Sequence, residues 1–215
     1  MQTLRNCPLN FDELKNMSTT RFQSPLLNQL AERIAKLPFD PTPQPYSVLI
    51  AITNEAEPKI LYSLRASDMR EHAGEVSFAG GRREDTDDSN QATALRETHE
   101  ETGIHPSQVT VLGELPLQFA KSGRPVKPIV GVIPPSVNLV PEMCEIARLF
   151  WADLATLIHQ PTIDYAYDLG RQVMVSPSFI IDGETVWGLT GRITASLLEM
   201  GFDRQIDWYF NVHDK

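Results

Sequence analysis

Apolar side chains recur at helical spacing at Leu26, Leu27, Leu30, Ile34 and Leu37, behind a start signal in which Ser24 caps and Pro25 takes the first turn. Pro38 stops the run, and Pro38, Pro41, Pro43 and Pro45 form a stiff connector. Residues 1–45 therefore read as an N-terminal helical extension. From Tyr46 the period changes from helix to strand. Tyr46–Thr53 is β-branched and aliphatic, and Ile60–Leu64 is its expected hairpin partner across Asn54–Lys59. Ser89 to Thr102 reads as a helix capped by Ser89, with Gly103 just past its end. Thr110–Leu112, Val126–Val132 and Glu145–Trp151 follow as strands, and Asp153 to Ile158 as a short helix. Val173–Val175 and Phe179–Trp187 predict a hairpin turning at Asp182–Gly183. Thr190 is expected to cap a closing helix carrying Ile193, Leu197, Leu198 and Met200 and stopping at Gly201. Strands and helices mix without regular βαβ alternation. The pattern predicts a mixed-sheet α/β layered domain over 46–200, with 201–215 as a tail.

Charge narrows what such a domain can do. Acidic side chains number 28 against 19 basic ones, a net charge of −9, which argues against general affinity for a nucleic-acid backbone. The longest apolar run, Val48 to Ile52, is far short of the ~20 residues of a membrane span. Met1 to Asn10 lacks the features of a secretory signal, and two cysteines, Cys7 and Cys144, make no disulfide scaffold. A cytoplasmic, reducing setting is the expectation. The charge is also uneven. Seven carboxylates and three arginines lie between Arg82 and Glu101, whereas Phe119 to Pro128 carries Lys121, Arg124 and Lys127 and no acid. An acidic knot beside a basic strip suits a cation-dependent enzyme with an anionic substrate; solvated loops of opposite sign would look the same.

On the helix over 89–102, Glu97, Glu100 and Glu101 share an arc of about 100°, with Ala92 and Leu95 on the opposite side and available to a core. Like charges at these spacings weaken a bare helix, and a hard divalent cation reverses that sign. Arg96 can pair with one of the carboxylates and hold its rotamer. A Gly80–Gly81 loop upstream lets backbone approach an ion or phosphate closely. A solvated acidic face is the competing reading.

Gly81 followed by Arg96-Glu97-Thr98-His99-Glu100-Glu101-Thr102-Gly103-Ile104 resembles the Nudix box, G-x5-E-x7-R-E-U-x-E-E-x-G-U with U apolar. Asp87 stands where the first Glu is expected, with eight rather than seven residues before Arg96, and Thr98 replaces an aliphatic residue. Upstream, the run from Leu61 to Gly81 is similar to a signature of the coenzyme A diphosphatase branch, L-L-T-x-R-S-x-x-L-R-x-H-x-G-E-V-S-F-P-G-G. Arg65, Arg70, His72, Gly74 and Glu75 to Phe78 match it; Ala66, Met69 and Ala79 depart from it. The longer box loop with Asp is familiar in that branch. Ser122-Gly123, Pro128 to Gly131, Glu145-Ile146-Ala147 and Trp187 to Thr190 resemble it too, so the likeness runs from about Tyr46 to Met200.

The resemblance implies an α/β/α sandwich with a mixed sheet, in which the box is a loop-helix-loop. It implies Mg2+ or Mn2+ held by Glu97 and Glu101, with Glu100 a third carboxylate and the Gly81 carbonyl a further donor. Glu97 or Glu100 would activate the attacking water, and Arg96 would brace Glu97. Arg65, Arg70, His72, Lys121 and Arg124 are the candidates for substrate binding, His72 equally for a hydrogen bond within its loop. Glu145 has a metal-site and a surface reading. Met143, Trp187 and Phe119 are expected in the core. The implied reaction is hydrolysis of coenzyme A, free or acylated, to 4′-phosphopantetheine and adenosine 3′,5′-bisphosphate by a monomer or homodimer. Another Nudix hydrolase, acting on ADP-ribose or a dinucleotide, is the alternative. A non-catalytic Nudix-fold binding module is disfavoured by the intact carboxylates.

Overall fold

Neighbouring positions of the strand Tyr46–Thr53 (β1) diverge into two cores. Ile50 and Ile52 enter one apolar cluster, Leu49 and Ala51 another, as a period of two requires of a strand covered on both faces. The computed structural model describes residues 21–69, 72–168, 173–206 and 210–211. Residues 1–20 of the expected extension, most of the expected tail beyond 206, and Arg70 lie outside them.

The remaining elements are β2 (Lys59–Arg65), β3 (Val76–Ser77), β4 (Ala79–Arg82), β5 (Thr110–Glu114), β6 (Gln118–Phe119), β7 (Pro125–Ile133), β8 (Ile146–Asp153), β9 (Ile163–Asp168), β10 (Val173–Ile181), β11 (Glu184–Val186) and β12 (Phe210–Asn211). The helices are α1 (Pro25–Ile34), α2 (Asn90–Thr102), α3 (Leu154–His159) and α4 (Gly188–Phe202), with a 3-10 turn at Pro106–Gln108. Eight strands form the main sheet and β9–β12 a smaller one. β1 and β7 run parallel along their whole length, from Tyr46 opposite Val126 to Thr53 opposite Ile133. The other side of β1 is shared: β4 pairs antiparallel with Tyr46 to Leu49, and β2 meets it only at Ile52. The hairpin expected between β1 and β2 is therefore a single-register contact. β2 spends its ladder on β8 instead, from Lys59–Asp153 to Arg65–Ile146.

α2 covers one face of the sheet, where Ala94 and Ile104 meet Leu49, Ala51, Leu61, Ile129 and Ile133. α1 and α4 cover the other, bringing Leu27, Leu30, Ile34, Ile193, Leu197 and Leu198 onto Ile50, Ile52, Tyr62, Val130 and Val132. The result is the expected α/β/α sandwich with a mixed sheet. The helix placed in the N-terminal extension is thus a core element. Leu27 and Leu30 are fully buried, each contributing about 1.5–3 kcal/mol by leaving water. Gly201 is the crossing point of α1 and α4, since a Cβ there would lie 2.5 Å from a Leu30 methyl.

Caps place α2. Ser89 accepts the Ala92 N–H at 3.1 Å, and Gly103 ends the helix in the left-handed region at φ 77°. The proline-rich connector is tied to the same end, because Asn90 accepts the Gln44 N–H and donates to the Thr42 carbonyl. α4 begins earlier than expected, with Trp187 at the cap position. Thr190 lies inside the first turn and donates to the Val76 carbonyl at 2.8 Å.

Candidate active site

Thr93, Ala94, Thr98, Glu101 and Thr102 form the buried side of α2; Leu95 packs against the core as expected while partly exposed, and Ala92, also expected there, is only partly covered. The three clustered glutamates thus have three environments. Glu100 points outward, 58% exposed, and accepts from Arg96 at 3.2 Å. Glu97 is intermediate. Glu101 is turned inward, 6% exposed.

Arg96 organises the box. It donates to both oxygens of Asp87 at 3.1 and 3.0 Å, to Glu97 at 3.0 Å, and to the Arg82 carbonyl at 2.9 Å. Asp87, 5% exposed, also accepts the Glu84 N–H at 2.9 Å. The Arg96 guanidinium beside Asp87 holds its carboxyl down to about 2, well below the usual range. The extra loop residue is accommodated by this closed turn, in which Asp87 stands against Arg96.

Two glycines let the carboxylates reach a cavity. The Glu97 carboxylate lies where a Cβ on Gly81 would be, 2.4 Å from it, and Gly80 donates its N–H to Glu101 at 3.3 Å. Gly80 itself has φ 151°, with the β1 backbone 2.4 Å from its missing Cβ. A side chain at Gly81 would displace the Glu97 carboxylate, and one at Gly80 would collide with β1 at Ser47 and Val48. Burial pushes Glu101 up to about 8; Glu97 and Glu145 add to the rise, while the Gly80 amide and Arg65 oppose it. Glu97 is also raised, chiefly by burial, with Arg96 opposing.

The cavity encloses about 420 Å3, within the range of small-molecule sites. Glu97, Glu101, Glu145, Gly80 and Gly81 line it from the box side. Arg65 and His72 line it from the upstream motif, Lys121, Ser122 and Arg124 from the turn before β7, and Trp187 to Thr190 with Arg192 from α4. Arg65 ends β2 at a register shift that turns its side chain, and its Nε is buried without a hydrogen-bond partner among the described residues. His72 sits at φ 58° with Nδ1 2.9 Å from a Glu75 oxygen, so the internal hydrogen bond and the cavity position coexist.

The geometry therefore gathers Gly81, Glu97, Glu101, Arg65, His72, Lys121 and Arg124 around one space. Arg96 stands behind Glu97, and neither it nor Glu100 lines the cavity. Trp187, expected in the core, lines it, stacked on Tyr165 with ring centres 4.6 Å apart. Phe119 and Met143, also expected in the core, are 55% and 69% exposed. Arg192 was not singled out, because an arginine in an apolar helix gives no spacing signal.

Among the described residues no three His, Cys, Asp or Glu side chains stand close enough to form a ready cage for a metal ion. The donors at the cavity nevertheless fit a hard divalent cation. Two carboxylates, disfavoured as anions by burial and by neighbouring carboxylates, meet the backbone of Gly80–Gly81. No helix of the described residues is long and apolar enough to cross a membrane.

A family model described as NUDIX domain matches residues 43–165. Proteins of Escherichia fergusonii and Escherichia coli K12, both named "Uncharacterized Nudix hydrolase NudL", are 37% identical to this chain over 160 residues, 72% of it and 82% of theirs. Among solved structures, a MutT/nudix family protein from Enterococcus faecalis is 14% identical, with 78% of this chain and 64% of that chain aligned at a TM-score of 0.45. An Ap4A hydrolase from C. elegans is 19% identical, over 53% of this chain and 83% of that one, at a TM-score of 0.44.

Proposed function

The chain belongs to the Nudix family of diphosphate-bond hydrolases, and from that premise we propose that it hydrolyses the diphosphate of coenzyme A or an acyl derivative, releasing adenosine 3′,5′-bisphosphate. The observation that carries the reading is the composition of the cavity. Carboxylates suited to a divalent cation line one side, and Arg65, Lys121, Arg124 and Arg192 supply more positive charge than a bare diphosphate needs. Arg65, His72, Glu75 to Phe78, Gly80 and Gly81 of the upstream run line the same space.

Glu97 and Glu101 would hold Mg2+ or Mn2+, with the Gly81 carbonyl as a further oxygen donor. When bound, the ion neutralises the diphosphate and acidifies water. The chain's own groups do the rest. Arg96, fixed by Asp87, limits the rotamers of Glu97, so the carboxylate is aimed before substrate arrives. Of the two candidate bases, Glu97 faces the cavity and Glu100 faces solvent, which supports Glu97 as the group that orients the attacking water. Arg65, close to Glu101, suits a bridging or leaving phosphate oxygen. Trp187 and Leu189 give the cavity its apolar portion.

Purified protein with Mg2+ or Mn2+ is tested on coenzyme A, 3′-dephospho-coenzyme A, ADP-ribose and a dinucleoside polyphosphate, with products resolved by chromatography. The highest kcat/KM is expected on coenzyme A. Faster turnover of ADP-ribose or the dinucleotide would refute the substrate while leaving the hydrolase class intact.

A further inference from the structure

The cavity has two cationic regions, and the strand order separates them. β4 and β7 flank β1 on opposite sides, so Gly81 and the start of β7 stand two strand spacings apart, ~10 Å. Arg65 belongs to the first region, beside Glu101. Lys121 and Arg124 belong to the second, on the turn Ala120–Arg124 that leads into β7.

That turn is built to hold its shape. The Ala120 N–H donates to the Arg124 carbonyl at 2.9 Å, and the Gly123 N–H to the Ala120 carbonyl at 2.8 Å. Gly123 takes φ 79°, which a side chain would strain. The Arg124 guanidinium lies 5.8 Å from the centre of the Tyr46 ring, which steadies it from β1. Behind the turn, Arg192, only 5% exposed, donates to the Phe119 carbonyl and so ties the end of β6 to α4. No acidic residue interrupts the segment from Phe119 to Pro128.

We infer that the turn Ala120–Arg124 is a subsite for a phosphate monoester on the sugar of a nucleoside diphosphate substrate, bound by Lys121 and Arg124 and positioned by Tyr46 and Arg192. The inference rests on the hydrolase reading of the same cavity. A ribose with a diphosphate on one carbon and a monoester on another presents two anions one sugar apart. The two cationic regions answer that pattern, and the planar fork of Arg124 suits the monoester's oxygens. A substrate lacking the monoester leaves the second region facing water.

The test measures kcat and KM of wild type, Arg124→Ala, Arg124→Lys, Tyr46→Leu, Tyr46→Phe and Arg148→Ala on coenzyme A and its 3′-dephospho form. Binding of adenosine 3′,5′-bisphosphate and adenosine 5′-monophosphate is measured by calorimetry in parallel. Wild type is expected to favour the 3′-phosphorylated member of each pair. Arg124→Ala should cut that preference about 10- to 100-fold, mainly through KM, the loss due to one charge-assisted contact; Arg124→Lys should recover part of it. Tyr46→Leu should lower the preference and Tyr46→Phe restore it, since the ring face is what steadies Arg124. Arg148→Ala removes an exposed cation paired with Asp182 and Glu184, outside the cavity lining, and should keep the wild-type ratio. Equal losses by Arg124→Ala on both members, or the same change from Arg148→Ala, would overturn the subsite. If wild type hydrolyses neither coenzyme, the coenzyme A reading fails instead, and the calorimetric pair still decides the turn.

Discussion

Replacing Glu101 by Gln should separate stability from activity. The carboxyl is buried and its pKa stands at about 8, against 4.5 when exposed. Without metal, the folded protein therefore holds a proton at pH 7 that the unfolded chain has released. Stability contributed at low pH is lost as pH rises from 4.5 toward 8, at about 1.4 kcal/mol per unit. Over the interval up to pH 7 the full shift amounts to about 3 kcal/mol, and relaxation around the buried carboxyl reduces the working figure to about 2 kcal/mol. The amide of the Glu101→Gln variant carries no charge at any pH and keeps an oxygen for the Gly80 N–H. In EDTA at pH 7 the variant should melt about 4–8 °C above wild type, the difference closing below about pH 4.5. With Mg2+ its turnover should fall by at least about 100-fold, since an amide is a poorer metal ligand than a carboxylate. The assay is a melting series from about pH 4 to about pH 8 in EDTA, paired with kcat at limiting Mg2+. A variant no more stable than wild type at pH 7 refutes the burial argument. A variant with wild-type turnover refutes the role of Glu101 in holding metal.

Asp87→Asn should cost about 1–2 kcal/mol at pH 7 by urea denaturation, discounted because Arg96 is 22% exposed, and should lower kcat by loosening Glu97. Because the Asp87 pKa is depressed, its contribution is present above pH 3.8 and fades toward pH 2, so the variant and wild type should converge in that window. Gly81→Ala should drop kcat at least about tenfold while changing stability by less than about 1 kcal/mol, because the nearest atoms to the added Cβ are all at the far end of the Glu97 side chain; a large loss of stability with normal turnover would contradict this. Leu30→Ala should cost about 2–5 kcal/mol by urea denaturation with kcat retained in the folded fraction, as befits a fully buried residue on the face away from α2.

Much of this was legible in the chain. Tyr46–Thr53 has the predicted limits of β1, and Ser89 and Gly103 cap α2 as their residue types demand. These succeed because β-branched periodicity and cap chemistry are local. The inner face of α2 is only partly legible, for an equally physical reason. Its buried surface is built mostly from Thr93, Ala94, Thr98 and Thr102, whose small side chains give a weak apolar signal, so the pattern points to Ala92 and Leu95, of which Leu95 packs at the edge of the core. The arc of three glutamates straddles the boundary between sheet and water, and a helical wheel does not show where that boundary falls. Short strands such as β3 and β4, with two and four residues, are fixed by their partners rather than by their own sequence. Trp187 reads as a core residue until the fold places it at the rim of a cavity.

The parallel ladder between β1 and β7 has a kinetic meaning. Nearly every residue assigned to the chemistry, from Arg65 to Arg124, lies in the stretch of chain that this ladder closes into a loop. Such pairing is non-local, and the entropy of closing the loop must be met before its contacts form. The nascent or partly refolded chain therefore carries the acidic cluster without the cavity, and competence should arrive in one late step. Amide exchange would display it from the other direction. Ligands of the cavity should slow exchange in β1 and β7 together, because the opening that separates those strands dissolves the site.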